Sequence, residues 1–243
     1  MNNAGRRTLI SILILAAAIV ALVVVLWPSK VRHKFPPGLV SEQPAIKLPP
    51  PVYTGRTPVE EALHERRSVR SFSGSPLGLS EISQLLWAAQ GITEAGKGLR
   101  TAPSAGALYP LEVYVLSGNV RDLPAGIYRY RPPGHELVKT ADGDMRRELY
   151  SAAADQTPVR EAPAVIIFSA HYGRTIAKYG KRGIRYVNAE AGSAVENVYL
   201  QAVSLGLGTV VIGAFKDGDV KDIVKMAGDE EPLYIMPVGK KSR

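Results

Sequence analysis

The chain has 243 residues, 46% of them hydrophobic, no cysteine and a net charge of +8. That length suits one ordinary domain with an appendage, and the missing cysteines exclude disulfides, thiolate metal sites and a cysteine nucleophile. Five of the eight net charges lie in residues 1–51, where Arg6, Arg7, Lys30, Arg32, Lys34 and Lys47 face Glu42 alone; with no finger spacing, basic heptads or ribonucleoprotein motif, nothing points to nucleic acid.

The first predicted element is "TLISILILAAAIVALVVVLW", residues 8–27, which carries no charge. At about 1.5 Å per residue it would span roughly 30 Å, the thickness of a bilayer's hydrocarbon core. Trp27 would sit at the interface and Pro28 would end the helix. Residues 1–27 are therefore expected to anchor the chain in a membrane, with a cleaved signal sequence as the alternative. The following "LVVVLWPSK" lacks a small-x-small cleavage site. "GRRTLIS" resembles a twin-arginine export signal, which places the domain on the extracytoplasmic, periplasmic side. Lys30, Arg32 and Lys34 flank the other end, so the cytoplasmic face stays open as the alternative. Residues 28–51 are proline-rich and read as an extended spacer, with the globular domain over 52–243.

Within that domain "TPVEEALHE" predicts a helix, with Thr57 as its cap, Pro58 at its first position and Glu60 completing a capping box. "LSEISQLLWAAQG" predicts a second from Ser80, with Ile82, Leu85, Leu86 and Ala89 on one face and Gly91 as its stop. A longer helix in "NAEAGSAVENVYLQAVSLG" carries the stripe Ala191, Ala194, Val195, Val198, Ala202 and Leu205, and a short one lies in "DVKDIVKMAG". "LEVYVLS" and "GIYRYR" alternate as strands do. "AVIIFSA", "TVVIGAF" and "LYIMPVG" are continuous apolar runs, the pattern of strands covered on both faces. Irregular alternation and a hairpin-like pair at 126–140 favour a layered α+β domain.

Four segments could carry chemistry. "RRSVRSFSG", residues 66–74, concentrates guanidinium and hydroxyl groups suited to a phosphate, although a solvated basic helix end would look the same. "RTAPSAGALYP", residues 100–110, is a run of small residues that lets backbone approach a flat ligand. "LGLGTVVIGAF" places Gly213 at the end of an expected strand, without a GxGxxG fingerprint. "PVGKKSR" ends the chain with more cations. His33, His64, His135 and His171 are scattered without metal spacing, and Asp217, Asp219 and Asp222 lack the twelve-residue calcium pattern.

In order, "RRSVRSF", "LLWAAQG", "RTAPSAGALYP", "APAVIIF", "KYGKRGIRYVNAEAG", "NVYLQAVSLGLG", "IGAF" and "LYIMPVG" resemble the nitroreductase family of flavin enzymes, above all its azoline-oxidising dehydrogenase branch. The resemblance implies a three-layer α/β/α fold with a mixed, mostly antiparallel central sheet, preceded here by the transmembrane helix. It implies FMN as cofactor, NAD(P)H as a candidate electron donor, and a homodimer acting on a small molecule or a modified peptide. By the same resemblance Arg66, Arg67 and Ser68 grip the FMN phosphate, with Arg70 as a helper. Lys241 and Arg243 close around it, with Lys240 the other choice. Pro103, Ser104 and Ala105 lie along the isoalloxazine ring of the partner subunit's flavin, Gln156 near the ring's polar edge, and Ile212 and Gly213 over its reactive N5. In the azoline branch a Lys-Tyr pair assists proton removal, which points to Lys178 and Tyr179 as catalytic candidates, with Lys181 and Arg182 as nearby cations. The alternative is a non-catalytic flavin-binding or membrane-tethered scaffold.

Overall fold

The computed structural model describes residues 45–242. The expected membrane span at 8–27, most of the spacer and Arg243 lie outside the described residues. Among the described residues no helix is long and apolar enough to cross a membrane.

A seven-stranded sheet forms the middle of the fold. Its order is β1 (Ile46–Lys47), β8 (Glu136–Asp142), β7 (Gly126–Arg131), β5 (Leu111–Ser117), β9 (Ala164–Ala170), β11 (Glu231–Lys240), β10 (Leu207–Thr209). Every pairing in it is antiparallel. The central sheet is thus antiparallel rather than mixed, its one parallel contact being the isolated bridge of Ser68 to Thr209 at the β10 edge; β2 (Leu77–Gly78) runs parallel to β6 (Val120–Arg121) in a separate two-stranded sheet. A short hairpin joins β3 (Ile92–Glu94) to β4 (Leu99–Arg100).

Alternation along the strands divides the core into two faces. Val113, Val115, Tyr128, Tyr130, Ile166, Phe168, Met236 and Val238 pack under α2 (Leu79–Gln90) and α6 (Arg182–Ser204). On the opposite face Tyr114, Leu116, Ile127, Val165, Ile167 and Ile235 meet α3 (Arg146–Ala152), α4 (Thr157–Glu161) and α7 (Asp217–Val224). β9 is buried along its whole length, as its unbroken apolar run requires between two helical layers. The result is the expected α/β/α sandwich.

Several local expectations are corrected. α1 spans Val59–Glu65; Pro58 occupies its cap position in an extended conformation, and no side chain caps the helix, so neither the Thr57 cap nor the Glu60 box forms. The reciprocal carboxylate appears instead on α2, where Glu81 accepts the N–H of Gly78 at 2.6 Å. α6 begins at Arg182, ahead of the expected start. "TVVIGAF" is not a strand beyond Thr209: Val210 and Ile212 are buried in irregular chain, and Ile212 makes a single bridge to Ile235.

The fold also includes described residues ahead of residue 52. Ile46 and Lys47 pair with Leu137 and Glu136, Leu48 is buried, and Lys47 binds Glu136 at 2.6 Å. Ser83 donates to the Pro49 carbonyl, and the Gln84 amide both accepts from and donates to the backbone of Val52. The end of the proline-rich stretch is thus strapped across α2.

Candidate functional site

α1 ends because Arg66 leaves helical geometry, and its N–H closes the last turn on Ala62. The chain then runs extended along the β10 edge: the Val69 N–H donates to Thr209, Ser73 N–H to Lys240, and Phe72 bridges Lys241. Two glycines make this approach possible. A Cβ on Gly208 would stand 2.6 Å from Val69 Cγ1, and one on Gly239 2.9 Å from the Phe72 ring. The two basic segments, far apart in sequence, therefore become neighbours at one corner.

At that corner the Arg66 guanidinium stacks 5.1 Å from the centroid of the Tyr199 ring and lies 4.0 Å from Glu196. Arg67 is exposed and turns back onto the carbonyls of His64 and Arg66. Ser68 Oγ lies 3.3 Å from the Tyr199 hydroxyl, which also accepts the Val211 N–H at 2.7 Å. A cavity of about 360 Å³ opens beside them, lined in part by Arg70, Gln156, Pro158, Val211 and Ile212. Its size is within the usual range of ligand sites, about 300–1,000 Å³. Gln156 Nε2 donates to the carbonyls of Ala153 and Ala214, which fixes its amide at the wall. Gly213 is exposed next to Ile212.

Pro103, Ser104 and Ala105 do not line that cavity. They begin a tight loop in which Gly106, Ala107 and Tyr109 all have left-handed φ, of 65°, 54° and 45°. Two of these are not glycine, so the loop is strained and held by its surroundings. Tyr109 N–H donates to Ser104 Oγ, Arg100 stacks on the Tyr109 ring at 4.4 Å, and Arg174 donates to the Tyr109 carbonyl.

α5 (Tyr172–Tyr179) ends against this loop. A Cβ on Gly106 would lie 2.7 Å from the Tyr179 hydroxyl and 2.9 Å from Lys178 Nζ, so the Lys-Tyr pair abuts the loop's tip. Lys178 is exposed, Tyr179 half-buried and packed edge-on against Tyr186. Lys181 and Arg182 follow, both exposed.

The nitroreductase family model matches residues 63–240. This chain belongs to the nitroreductase family. A Methanocaldococcus jannaschii protein carrying a nitroreductase name is 48% identical over 183 residues, covering 75% of this chain and 91% of that protein. A solved Ralstonia eutropha structure, likewise described as a nitroreductase, superposes with a TM-score of 0.73 at 35% identity, covering 85% of this chain and 94% of that one. The microcin B17-processing protein McbC of Escherichia coli is 30% identical over 150 residues; the match takes in 59% of this chain and 55% of McbC. The chain is accordingly an oxidoreductase of the nitroreductase type.

In family terms the site falls into two halves. Arg66, Arg67, Ser68, Arg70, Gln156, Ile212, Lys240 and Lys241 share one corner; Pro103, Ser104, Ala105, Lys178 and Tyr179 share another place on the same chain. The donor chemistry of the first corner fits a flavin mononucleotide phosphate: segments carrying guanidinium, ammonium and hydroxyl side chains meet there, and Arg70, Ser71 and Thr157 line the cavity together with Glu161 and the apolar Val210, Val211 and Ile212.

A further group went unnoticed in the sequence. Behind the small-residue loop, Glu190 of α6 is 3% exposed and faces Ser104, Arg100 and Gln90. Its Oε1, Gln90 Nε2 and Arg100 Nε are buried without hydrogen-bond partners among the described residues. Burial pushes the Glu190 carboxyl up to about 7 and holds Arg100 below its ordinary value. The signal was available: Glu190 falls on the apolar stripe, three residues after Val187 and four before Ala194, where a carboxylate is out of place.

Proposed function

We propose that the chain is an FMN-dependent oxidoreductase passing hydride, in a ping-pong cycle, to or from a small molecule or a modified peptide. The observation that carries this is the extended segment from Arg66 to Ser73, which runs along Thr209 and meets Lys240 and Lys241 through Ser73 and Phe72, beside the cavity of Gln156 and Ile212. Arg66, Arg67, Ser68, Arg70, Lys240 and Lys241 would hold the phosphate, Gln156 would present its amide to the polar edge of the ring, and Ile212 and Gly213 would cover its reactive side. When bound, FMN supplies the hydride-carrying centre.

The second half of the site fits a dimer in which Pro103, Ser104 and Ala105 of one subunit reach the flavin of its partner. Lys178 and Tyr179 would arrive with them. For a heterocyclised peptide, one carbon loses hydride and an adjacent position loses a proton, and Lys178 Nζ or the Tyr179 hydroxyl would take that proton. NAD(P)H is the proposed donor when the reaction runs toward reduction. Residues 8–27 would tether the domain to the membrane on its extracytoplasmic face.

The test is visible absorption of the purified full chain in detergent, with the released cofactor identified by mass. A stoichiometric FMN spectrum, lost in Arg66→Ala/Arg67→Ala, is the expected result; NAD(P)H consumption with a quinone or nitroaromatic acceptor then establishes turnover. A colourless protein that takes up no FMN would leave the non-catalytic scaffold instead.

A further inference from the structure

Between Tyr172 and Ala189 the chain carries Arg174, Lys178, Lys181, Arg182 and Arg185 and no aspartate or glutamate. Arg174 pairs with Glu112 at 2.7 Å. Lys178, Lys181, Arg182 and Arg185 are exposed, and none of them pairs with a carboxylate among the described residues. They occupy the elbow where α5 gives way to α6. We propose that this elbow is a docking surface for an acidic peptide segment, the carboxylate-bearing flank of a peptide substrate.

Solvated cations elsewhere on the chain have different surroundings. Lys97 pairs with Glu94 at 2.8 Å, Lys139 with Asp142 at 2.9 Å and Lys221 with Glu231 at 3.0 Å. Helix starts differ as well. α1, α2, α3 and α7 each carry a carboxylate in the first turn, which suits the positive end of the helix dipole. α6 carries none there, and Lys181, Arg182 and Arg185 add their charge to that end. Like charges crowded at a helix start strain the isolated fold and raise the local potential, and an anion seated on them relieves both.

The elbow is not purely cationic. Ile184 is 45% exposed between Arg182 and Arg185, and the half-buried rings of Tyr179 and Tyr186 pack edge-on in the same segment. Cations interleaved with apolar and aromatic side chains suit a peptide whose carboxylates alternate with apolar residues; a bare phosphate would leave Ile184 uncovered. A lipid surface offers the same mixed chemistry, and placement decides between the two. Lys178 and Tyr179 belong to this elbow and abut Gly106 of the small-residue loop. A bilayer pressed on the cations would cover that pair, whereas a peptide held by them is delivered to it. That the docked peptide is the substrate rests on the function proposed above; the docking itself does not.

The test is fluorescence anisotropy with the full chain in neutral detergent, without FMN or nucleotide. The probes are two labelled peptides of about ten residues, one alternating glutamate with alanine, the other glutamine with alanine. At about 50 mM salt the glutamate peptide is expected to bind about tenfold or more tightly than its counterpart, and the preference should fade at about 500 mM as screening shortens. Lys181→Glu/Arg182→Glu/Arg185→Glu should abolish the preference. Arg147→Glu/Lys216→Glu/Lys225→Glu reverses exposed cations on and beside α3 and α7, changes the net charge equally and should keep it. Equal binding of both peptides by the native protein overturns the dock before any variant is made, and so does an equal loss in the two triple variants. Soluble dihexanoyl phosphatidylglycerol, bound through Lys181, Arg182 and Arg185 by a protein indifferent to both peptides, would overturn it in favour of a lipid surface. A colourless chain that holds the glutamate peptide sinks the oxidoreductase and keeps the dock; a flavoprotein indifferent to that peptide does the reverse.

Discussion

The hydroxyls of Ser68 and Tyr199 lie 3.3 Å apart, and the same Tyr199 oxygen accepts the N–H of Val211 at 2.7 Å. One phenol from the long helix thus ties the arginine-bearing strand to the wall of the cavity. Tyr199→Phe keeps the ring under Arg66 but leaves the Val211 N–H without its acceptor. Stability should fall by about 1–2 kcal/mol, and FMN affinity by about tenfold; chemical denaturation and fluorescence titration with FMN measure the two.

Arg66 and Arg67 differ in their surroundings, and their variants should differ too. Arg66 is stacked on Tyr199 beside Glu196, whereas Arg67 reaches only backbone carbonyls. Arg66→Lys loses the planar fork and the stacking, so FMN affinity should drop about tenfold despite the retained charge. Arg67→Lys should cost less. Isothermal titration of FMN into the two apoproteins orders them; equal losses would show that charge alone matters at this corner.

Gly208→Ala would put a methyl group 2.6 Å from Val69 Cγ1, where the backbones cannot separate without breaking the Val69–Thr209 hydrogen bond. The expected cost is about 1–3 kcal/mol of stability, seen in thermal melts, with weakened FMN binding. Gly218→Ala on α7 meets nothing within 4 Å and should be neutral or mildly stabilising, which makes it the matched control.

Glu190 gives the whole domain a pH signature. Its folded value of about 7 lies above the unfolded 4.5, so its contribution is most favourable below about 4.5 and is lost as pH climbs to about 7. Relative to Glu190→Gln, the native protein should lose about 3 kcal/mol across that window and nothing further above it. Urea midpoints of both proteins at several pH values give the difference directly. Parallel curves would place the Glu190 titration outside the window.

What could be read in the sequence was what periodicity encodes. The α2 stripe of Ile82, Leu85, Leu86 and Ala89 and the runs of β5, β7 and β9 announced themselves because each buries one face or both. α5 did not: "YGRTIAKY" is short, mostly polar and held from outside, Arg174 by Glu112 and Tyr172 by Asn188. "TVVIGAF" misled because burial looks the same in a strand and in irregular chain; the Val211 N–H is satisfied by a side chain rather than by a neighbouring strand. The corner of Arg70, Gln156 and Ile212 came only from the family resemblance, since no local pattern signals that three distant segments meet. Glu190 and Arg100 stayed hidden for the opposite reason, each looking ordinary until the fold enclosed it.

The strap of Ile46 and Lys47 lies on β8, at one border of the sheet, while β10 and the arginine corner form the other border. Tension arriving along the chain ahead of residue 45 would be resisted first by β1 and the Lys47–Glu136 ion pair. Five strands stand between β1 and β10, so a pull on residue 45 is taken up at the border of the sheet away from the cavity.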